Sequence, residues 1–362
     1  MKRPQDASGA DVARLAGVSR ATVSAVINAN KFVTDATRDR VLRAIERLDY
    51  RPDAIARSLK ISRTNAVGLV LPSMESAFCP PVARAIESLL WESGYRLVLT
   101  NTDEDTAVAD SAMEMFLETR VDGVIAAPPP GVRRKPYEAY VNTGRPLVFI
   151  ERAIPGIDAD CVKVDDLMGG CLAAKHLVEL GRRRIGVVAM PLDMAPSSDR
   201  VAGVRRALSE AGLRFDDDMV AVARYTEQEG YAAAQRLLAR EPRPDALVAC
   251  SLRLTTGALA AMRRAGLRVP GDIALVGYDE MPWALLCDPP LTVIQQPTRE
   301  LGRRAADLLL GLLGGSRSNE RVTEVMQPRL LVRRSCGATG EDGLDFFEPR
   351  STVTHPAGSP DL

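Results

Sequence analysis

Between residues 67 and 332 the chain repeats one pattern: a short, nearly continuous apolar run, then a longer stretch with apolar residues at helical spacing. The runs fall at 67–71, 97–99, 124–126, 147–150, 185–188, 247–248, 273–276 and 331–332. A strand with polar residues at alternate positions keeps one face in water, whereas a strand apolar throughout must be covered on both. Such strands separated by amphipathic helices predict parallel sheets with helices on both faces, an α/β fold. The hydrophobic fraction of 46% suits a globular protein and is too high for general disorder. At 362 residues there is room for two or three domains. No apolar run approaches the ~18 residues of a membrane span. The first 30 residues lack the apolar core of a secretory signal, so a cytoplasmic protein is expected.

Charge divides the chain in two. Lys plus Arg and Asp plus Glu both number 47, yet residues 1–63 hold 13 of the former and 7 of the latter, a net +6. The remainder therefore carries −6. A small basic head on a larger acidic body suggests that the head meets a polyanion, although a solvated helical surface has the same composition. The head also has helical grammar. Ser8 and Asp11 fit a loose capping box before Val12, Ala13, Leu15 and Ala16. Gly17 follows where a tight turn needs freedom in φ. Ser19 suits the N-cap of a second helix with Val23, Val26 and Ile27 on one face. Thr34 suits the cap of a third, with Val41, Leu42, Ile45 and Leu48 toward the same core. This is the helix-turn-helix layout, in which the second helix enters the major groove. That helix is expected to expose Arg20, Ala21, Ser24, Ala25 and Asn28, short side chains apart from the arginine. A structural or protein-binding bundle is the alternative.

Chemistry is poorly served. There is no G-x-S-x-G, P-loop, H-E-x-x-H or G-x-G-x-x-G pattern, and the glycines of 310–316 do not follow a strand. The two histidines, His176 and His355, leave metal and general-base proposals almost without candidates, and no cofactor is expected. His176 is expected in a helix-surface or capping role. Cys79, Cys161, Cys171, Cys250, Cys287 and Cys336 are scattered and read as mostly buried thiols, not a disulfide frame.

Several stretches are recognisable in order. Residues 11–19 (DVARLAGVS), 21–24 (ATVS) and 50–60 (YRPDAIARSLK) resemble the N-terminal signature of LacI/GalR-family transcriptional regulators. The resemblance continues through 101–103 (NTD), 120–123 (RVDG), 181–185 (GRRRI), 276–279 (VGYD) and 289–292 (PPLT), and spans roughly residues 8–336. It implies a homodimer whose paired heads bind a pseudo-palindromic operator in double-stranded DNA, with a small-molecule effector altering affinity. Family correspondence assigns DNA contacts to Ser19, Arg20, Ala21, Thr22, Ser24, Ala25, Asn28, Ala56, Leu59 and Lys60. Leu59 matches the leucine that wedges into the central base step from a hinge helix formed on DNA. Ala25 stands where many members carry a guanine-reading arginine; Arg20 could read guanine instead.

The body is implied to be two Rossmann-like subdomains of the periplasmic-binding-protein type. The expected division is 1–50 for the helix-turn-helix domain, 51–63 for the hinge, 64–336 for the effector-binding and dimerisation core, and 337–362 for a flexible tail. Within the core, one subdomain takes about 64–162 and 295–323, the other about 163–294 and 324–336, with chain crossings near 160–165, 294–297 and 322–327. The implied cleft residues are Ser73, Phe78, Glu151, Met194, Arg200, Tyr225, Ser251 and Asp279. Two departures matter. Ser251-Leu252 replaces the Asn-Asp common in sugar-binding members, and Met194 occupies the place of the effector-binding arginine of purine-responsive members. Arg253 is an extra cation, which raises an acidic ligand such as a sugar acid or phosphate beside a sugar or related metabolite. The rivals are a regulator that has lost its effector, a solute-binding protein and an α/β enzyme.

Overall fold

The computed structural model describes residues 7–28, 31–50, 63–316 and 320–339. All but the last residue of the expected hinge, with Ala56, Leu59 and Lys60, lies outside them, as do His355 and the tail from 340. The chain forms two compact units, Met1–Thr64 and Asn65–Leu362.

In the first unit three helices, α1 (Gly9–Ala16), α2 (Arg20–Asn28) and α3 (Asp35–Arg47), close on Val12, Ala13, Ala16, Val23, Val41 and Ala44. The capping box forms as the sequence predicts: Ser8 Oγ accepts from Asp11 N–H, and Ser8 N–H donates to the Asp11 carboxylate. Gly17 turns the chain at φ 63, and Ser19 Oγ accepts from Thr22 N–H at the start of α2. Three expectations fail. Thr34 stands at the N-cap of α3 but donates its hydroxyl to Thr37 Oγ1 and caps no backbone N–H. Leu15 and Leu42 are 44% and 50% exposed. At about 100° per residue each lies roughly 110° from the centre of its helix's buried arc, just beyond the core-facing stripe.

The second unit carries two six-stranded sheets. The first is ordered β11-β5-β4-β3-β1-β2, from β1 (Ala66–Leu71), β2 (Arg96–Asn101), β3 (Gly123–Ala126), β4 (Leu147–Ile150), β5 (Asp160–Val164) and β11 (Thr323–Met326). It is parallel throughout; Val67, for example, pairs with Leu97 on one side and Gly123 on the other. The second is ordered β12-β10-β9-β8-β6-β7, from β6 (Ile185–Ala189), β7 (Val220–Val222), β8 (Ala246–Ala249), β9 (Ala274–Tyr278), β10 (Thr292–Gln295) and β12 (Arg329–Leu331), with β12 alone antiparallel. Helices cover both faces of each. In the first lobe α4 (Cys79–Glu92) and α12 (Thr298–Leu313) pack on one side, and α5 (Thr106–Glu118) and α6 (Arg134–Val141) on the other. In the second lobe α7 (Asp166–Glu179) and α8 (Ala195–Glu210) oppose α9 (Glu227–Leu238) and α10 (Leu252–Arg264); α11 (Pro282–Leu285) is a short turn of helix after β9.

The chain passes between lobes after Val164, after Gln295 and between Met326 and Arg329. The expected boundaries at 162/163, 294/295 and 323/324 move to 164/165, 295/296 and 326/327. Thr323–Met326 reads as polar, but its register with Cys161–Val164 makes it an edge strand of the first sheet. The expected tail also starts later, since Ala338 packs against the second lobe's core.

Helices α7 and α8 are pressed together at two glycines. A Cβ at Gly170 would lie 2.0 Å from the Arg200 carbonyl oxygen, and one at Gly203 would lie 2.1 Å from that of Leu167. Both obstacles are backbone, so the helices themselves must part. Gly203→Ala is therefore expected to cost about 1–3 kcal/mol, read as a lowered denaturant midpoint at unchanged m-value.

Candidate functional site

The head offers α2. Ser19, Arg20 and Ala21 are exposed at its start, while Thr22 and Ser24 are half-buried. The hydroxyls of Ser19 and Thr22 lie 2.9 Å apart, tied into the cap. Ala25 corrects the sequence reading: it is only 7% exposed, its single methyl standing too low beside its neighbours to present a surface. Asn28 closes the helix, and its side chain lies outside the described residues.

In the body, the residues following the strand ends converge on a cavity of about 180 Å³ between the two lobes. All eight expected cleft residues, Ser73, Phe78, Glu151, Met194, Arg200, Tyr225, Ser251 and Asp279, stand in its wall. Open α/β sheets present their ligand crevice at the carboxyl ends of strands, as here. The loop after β1 is pinned by its own serines: Ser76 Oγ donates to the Ser73 carbonyl and accepts from Cys79 N–H. Phe78 is buried there.

The floor is Arg200. It is 3% exposed and donates to Asp166 Oδ1 at 2.7 Å, to the Cys250 carbonyl at 2.6 Å and to Gln296 Oε1 at 3.2 Å. Its guanidinium also lies 4.3 Å from the centre of the Tyr278 ring. It is a buried, largely engaged cation, not a surface ion pair. Burial pushes the Asp166 carboxyl up, against the pull of the arginine. Gln296 passes the network onward, donating Nε2 to Asp279 Oδ1 at 2.7 Å, while Leu252 N–H reaches Asp279 Oδ2.

Sequence reasoning missed several wall residues, above all Asp103, Glu104 and Gln296. A usable signal lies in the backbone. Asp103, Glu104, Glu151 and Asp279 have φ of 49, 62, 64 and 69, each just beyond a strand end. Four carboxylates held in left-handed backbone around one cavity mark a site where local strain is tolerated. Arg253 also enters the wall, whereas Leu252 does not line the cavity. Arg253 is ion-paired across the cleft to Glu75 of the other lobe, lies 3.7 Å from Glu227, and sits 5.5 Å from the Tyr225 ring centre.

His176 is half-buried and bonded to Cys336 Sγ at 3.2 Å, away from the cavity. The six cysteines are free, four of them buried. Among the described residues no His, Cys, Asp and Glu group could hold a metal ion, and no helix is long and apolar enough to cross a membrane.

A three-helix head of helix-turn-helix form and a two-lobed body with a polar cleft are the parts of a ligand-responsive transcription regulator. Residues 10–53 match bacterial regulatory proteins of the lacI family, and 174–336 match a periplasmic binding protein-like domain. The chain is 35% identical over 326 residues to the HTH-type transcriptional repressor PurR of Pasteurella multocida, covering 90% of this chain and 97% of that protein. It is 36% identical over 302 residues to the ribose operon repressor of Escherichia coli K12, covering 83% and 91%. Among solved structures, the lac repressor dimer bound to operator and the anti-inducer ONPF superposes with a TM-score of 0.82 at 26% identity, covering 92% and 99%. The transcriptional regulator CelR in complex with cellobiose superposes at 0.69 with 34% identity, covering 91% and 99%. The chain belongs to the lacI family of bacterial regulatory proteins: it is a DNA-binding transcriptional regulator with a periplasmic-binding-protein-like effector domain.

Arg200 and Asp166 form a pair whose halves depend on each other. Arg200→Met strands a buried carboxylate and is expected to cost about 3–5 kcal/mol in chemical denaturation. Arg200→Met combined with Asp166→Leu is expected to recover part of that loss.

Proposed function

We propose that two copies of this chain bind a pseudo-palindromic operator as a cytoplasmic, nucleoid-associated repressor, and that a small polar molecule in the cleft alters that binding. What carries the effector half is the convergence of all eight family-assigned residues on one cavity closed by both lobes. Exposed Ser19, Arg20 and Ala21 at the start of α2, on a head of net +6, support the DNA half. Hinge residues Ala56, Leu59 and Lys60 are assigned to the minor groove by the family correspondence. The lac repressor neighbour is itself a dimer on operator DNA.

The cleft binds without turnover. Cys79 is a thiol in the cavity wall, but burial and then Glu151 push it up to about 12, so it stays protonated and unreactive. Ser73, Ser76 and Ser251 have no histidine partner among the described residues, since His176 is bonded to Cys336 away from the cavity. An effector acts here by preferring one angle between the lobes, because equal affinity for both states shifts nothing.

The test is titration of the purified protein onto DNA fragments from beside its own gene, against scrambled competitor. Fragment-selective binding is expected, weakening at least about a hundredfold between roughly 50 and 200 mM salt. Equal binding to scrambled DNA, with and without a metabolite extract, sinks the operator reading. Arg20→Ala is expected to cost about 1–3 kcal/mol on the preferred fragment and to relax sequence preference.

A further inference from the structure

We infer that the effector carries a protonated amine among hydroxyl groups, as an amino sugar or amino polyol does; this rests on the cleft being the effector site.

The wall is over-supplied with negative charge. Five carboxylates line the cavity, Glu75, Asp103, Glu104, Glu151 and Asp279, against two guanidiniums, Arg200 and Arg253. Both cations are already held by acidic partners, Arg200 by Asp166 and Arg253 by Glu75. Arg152, behind the wall and 7% exposed, is divided between Glu104 at 2.9 Å and Glu151 at 3.7 Å. Counting it still leaves three cations for five lining carboxylates. Asp279 takes its hydrogen bonds from neutral donors, Gln296 and the Leu252 backbone.

Glu104 Oε2 and Glu151 Oε2 are buried and receive no hydrogen bond, and Arg152 Nε, Arg152 Nη1 and Arg253 Nε are buried donors without an acceptor, so the excess of carboxylates, not the hydrogen-bond count, sets the ligand's charge. A buried acceptor without a donor is costly, and uncompensated buried charge more so. Burial pushes the Glu104 carboxyl up against the pull of Arg152, and Glu151 and Asp193 push it further. A hydroxyl would satisfy an acceptor but leave the charge. An ammonium supplies three donors and the missing positive charge together. A carboxylate or phosphate would add to the excess, so Arg253 does not signal an acidic ligand: its charge is met by Glu75 across the cleft. The space equals that of about six liquid waters at ~30 Å³ each, which suits one small ring or a short polyol.

The test uses the full-length protein in titration calorimetry near neutral pH, with matched triples. These are D-glucosamine, D-glucose and D-glucuronate; D-galactosamine, D-galactose and D-galacturonate; and serinol, glycerol and glycerate. The amine of at least one triple is expected to bind about tenfold or more tightly than its neutral partner, with the carboxylate weakest. Glu151→Gln, and separately Glu104→Gln, is expected to bring that ratio near one in protein whose circular dichroism is unchanged. The inference is overturned if no amine binds, if the neutral or acidic partner binds as well in every triple, or if the ratio survives in either variant. Operator affinity is measured in the same samples. An amine that binds without changing it fails the effector reading, whereas a neutral or acidic ligand that outbinds its amine and changes it fails this inference alone.

Discussion

The buried pair of Arg200 and Asp166 is the interaction around which the second lobe's part of the cleft is arranged. It exists because α7 and α8 approach until Gly170 and Gly203 meet opposing backbone, a separation only residues without Cβ permit. From α8 the guanidinium reaches the first turn of α7, the end of β8 through the Cys250 carbonyl, and Gln296 at the second crossing. Desolvating a guanidinium is expensive, and acceptors on three elements offset that cost only while their geometry holds. The pair therefore does more than add stability. It fixes where three strand-end segments stand relative to each other.

Gln296 extends this order into the cleft. It occupies a segment where the chain changes lobes, accepts from Arg200 and donates to Asp279. A change in the angle between lobes acts on this segment directly, so the aspartate cannot be indifferent to it. On the other side, Arg253 and Glu75 join the lobes by an ion pair. Glu75 is largely exposed, so water screens the pair and little of its Coulomb energy survives as stability. A link of that kind is easily broken, which suits a boundary between two states better than a permanent weld.

How much was legible in the sequence follows from what each residue does. Apolar runs such as 147–150 and 185–188 announced themselves because central parallel strands are buried on both faces. Two edge strands did not: Thr323–Met326 has only one packed side, and Val220–Val222 is too short to show a period. In the head, the turn at Gly17 and the cap at Ser8 were local chemistry and were readable. Leu15 and Leu42 depart from the expectation because one residue's step in helical phase, about 100°, separates core from solvent, and hydrophobicity alone does not report phase. The eight cleft residues came from family correspondence, since residues 73 to 279 are joined only by topology. Asp103 and Glu104 were invisible for another reason: a pair of acids in a polar stretch looks like surface until the backbone turns it inward at positive φ.

Those inward acids bear on how a ligand can favour one state. Asp103, Glu104 and Glu151 belong to one lobe, and Asp193 and Asp279 to the other, so closing the cleft gathers like charges into a medium of lower dielectric. Arg152 balances only part of the first group, and Arg200 is bound to Asp166 outside the count. In the proposed switch, the carboxylates other than Glu75, which pairs with Arg253 across the cleft, oppose closing. A ligand that supplies positive charge between the lobes removes that opposition in the closed form far more than in the open one, where water already screens it. Differential affinity of this origin is what a two-state switch requires. A neutral sugar of the same shape would fill the cavity and satisfy its acceptors, but it would leave the repulsion in place and so divide its binding more evenly between the two forms.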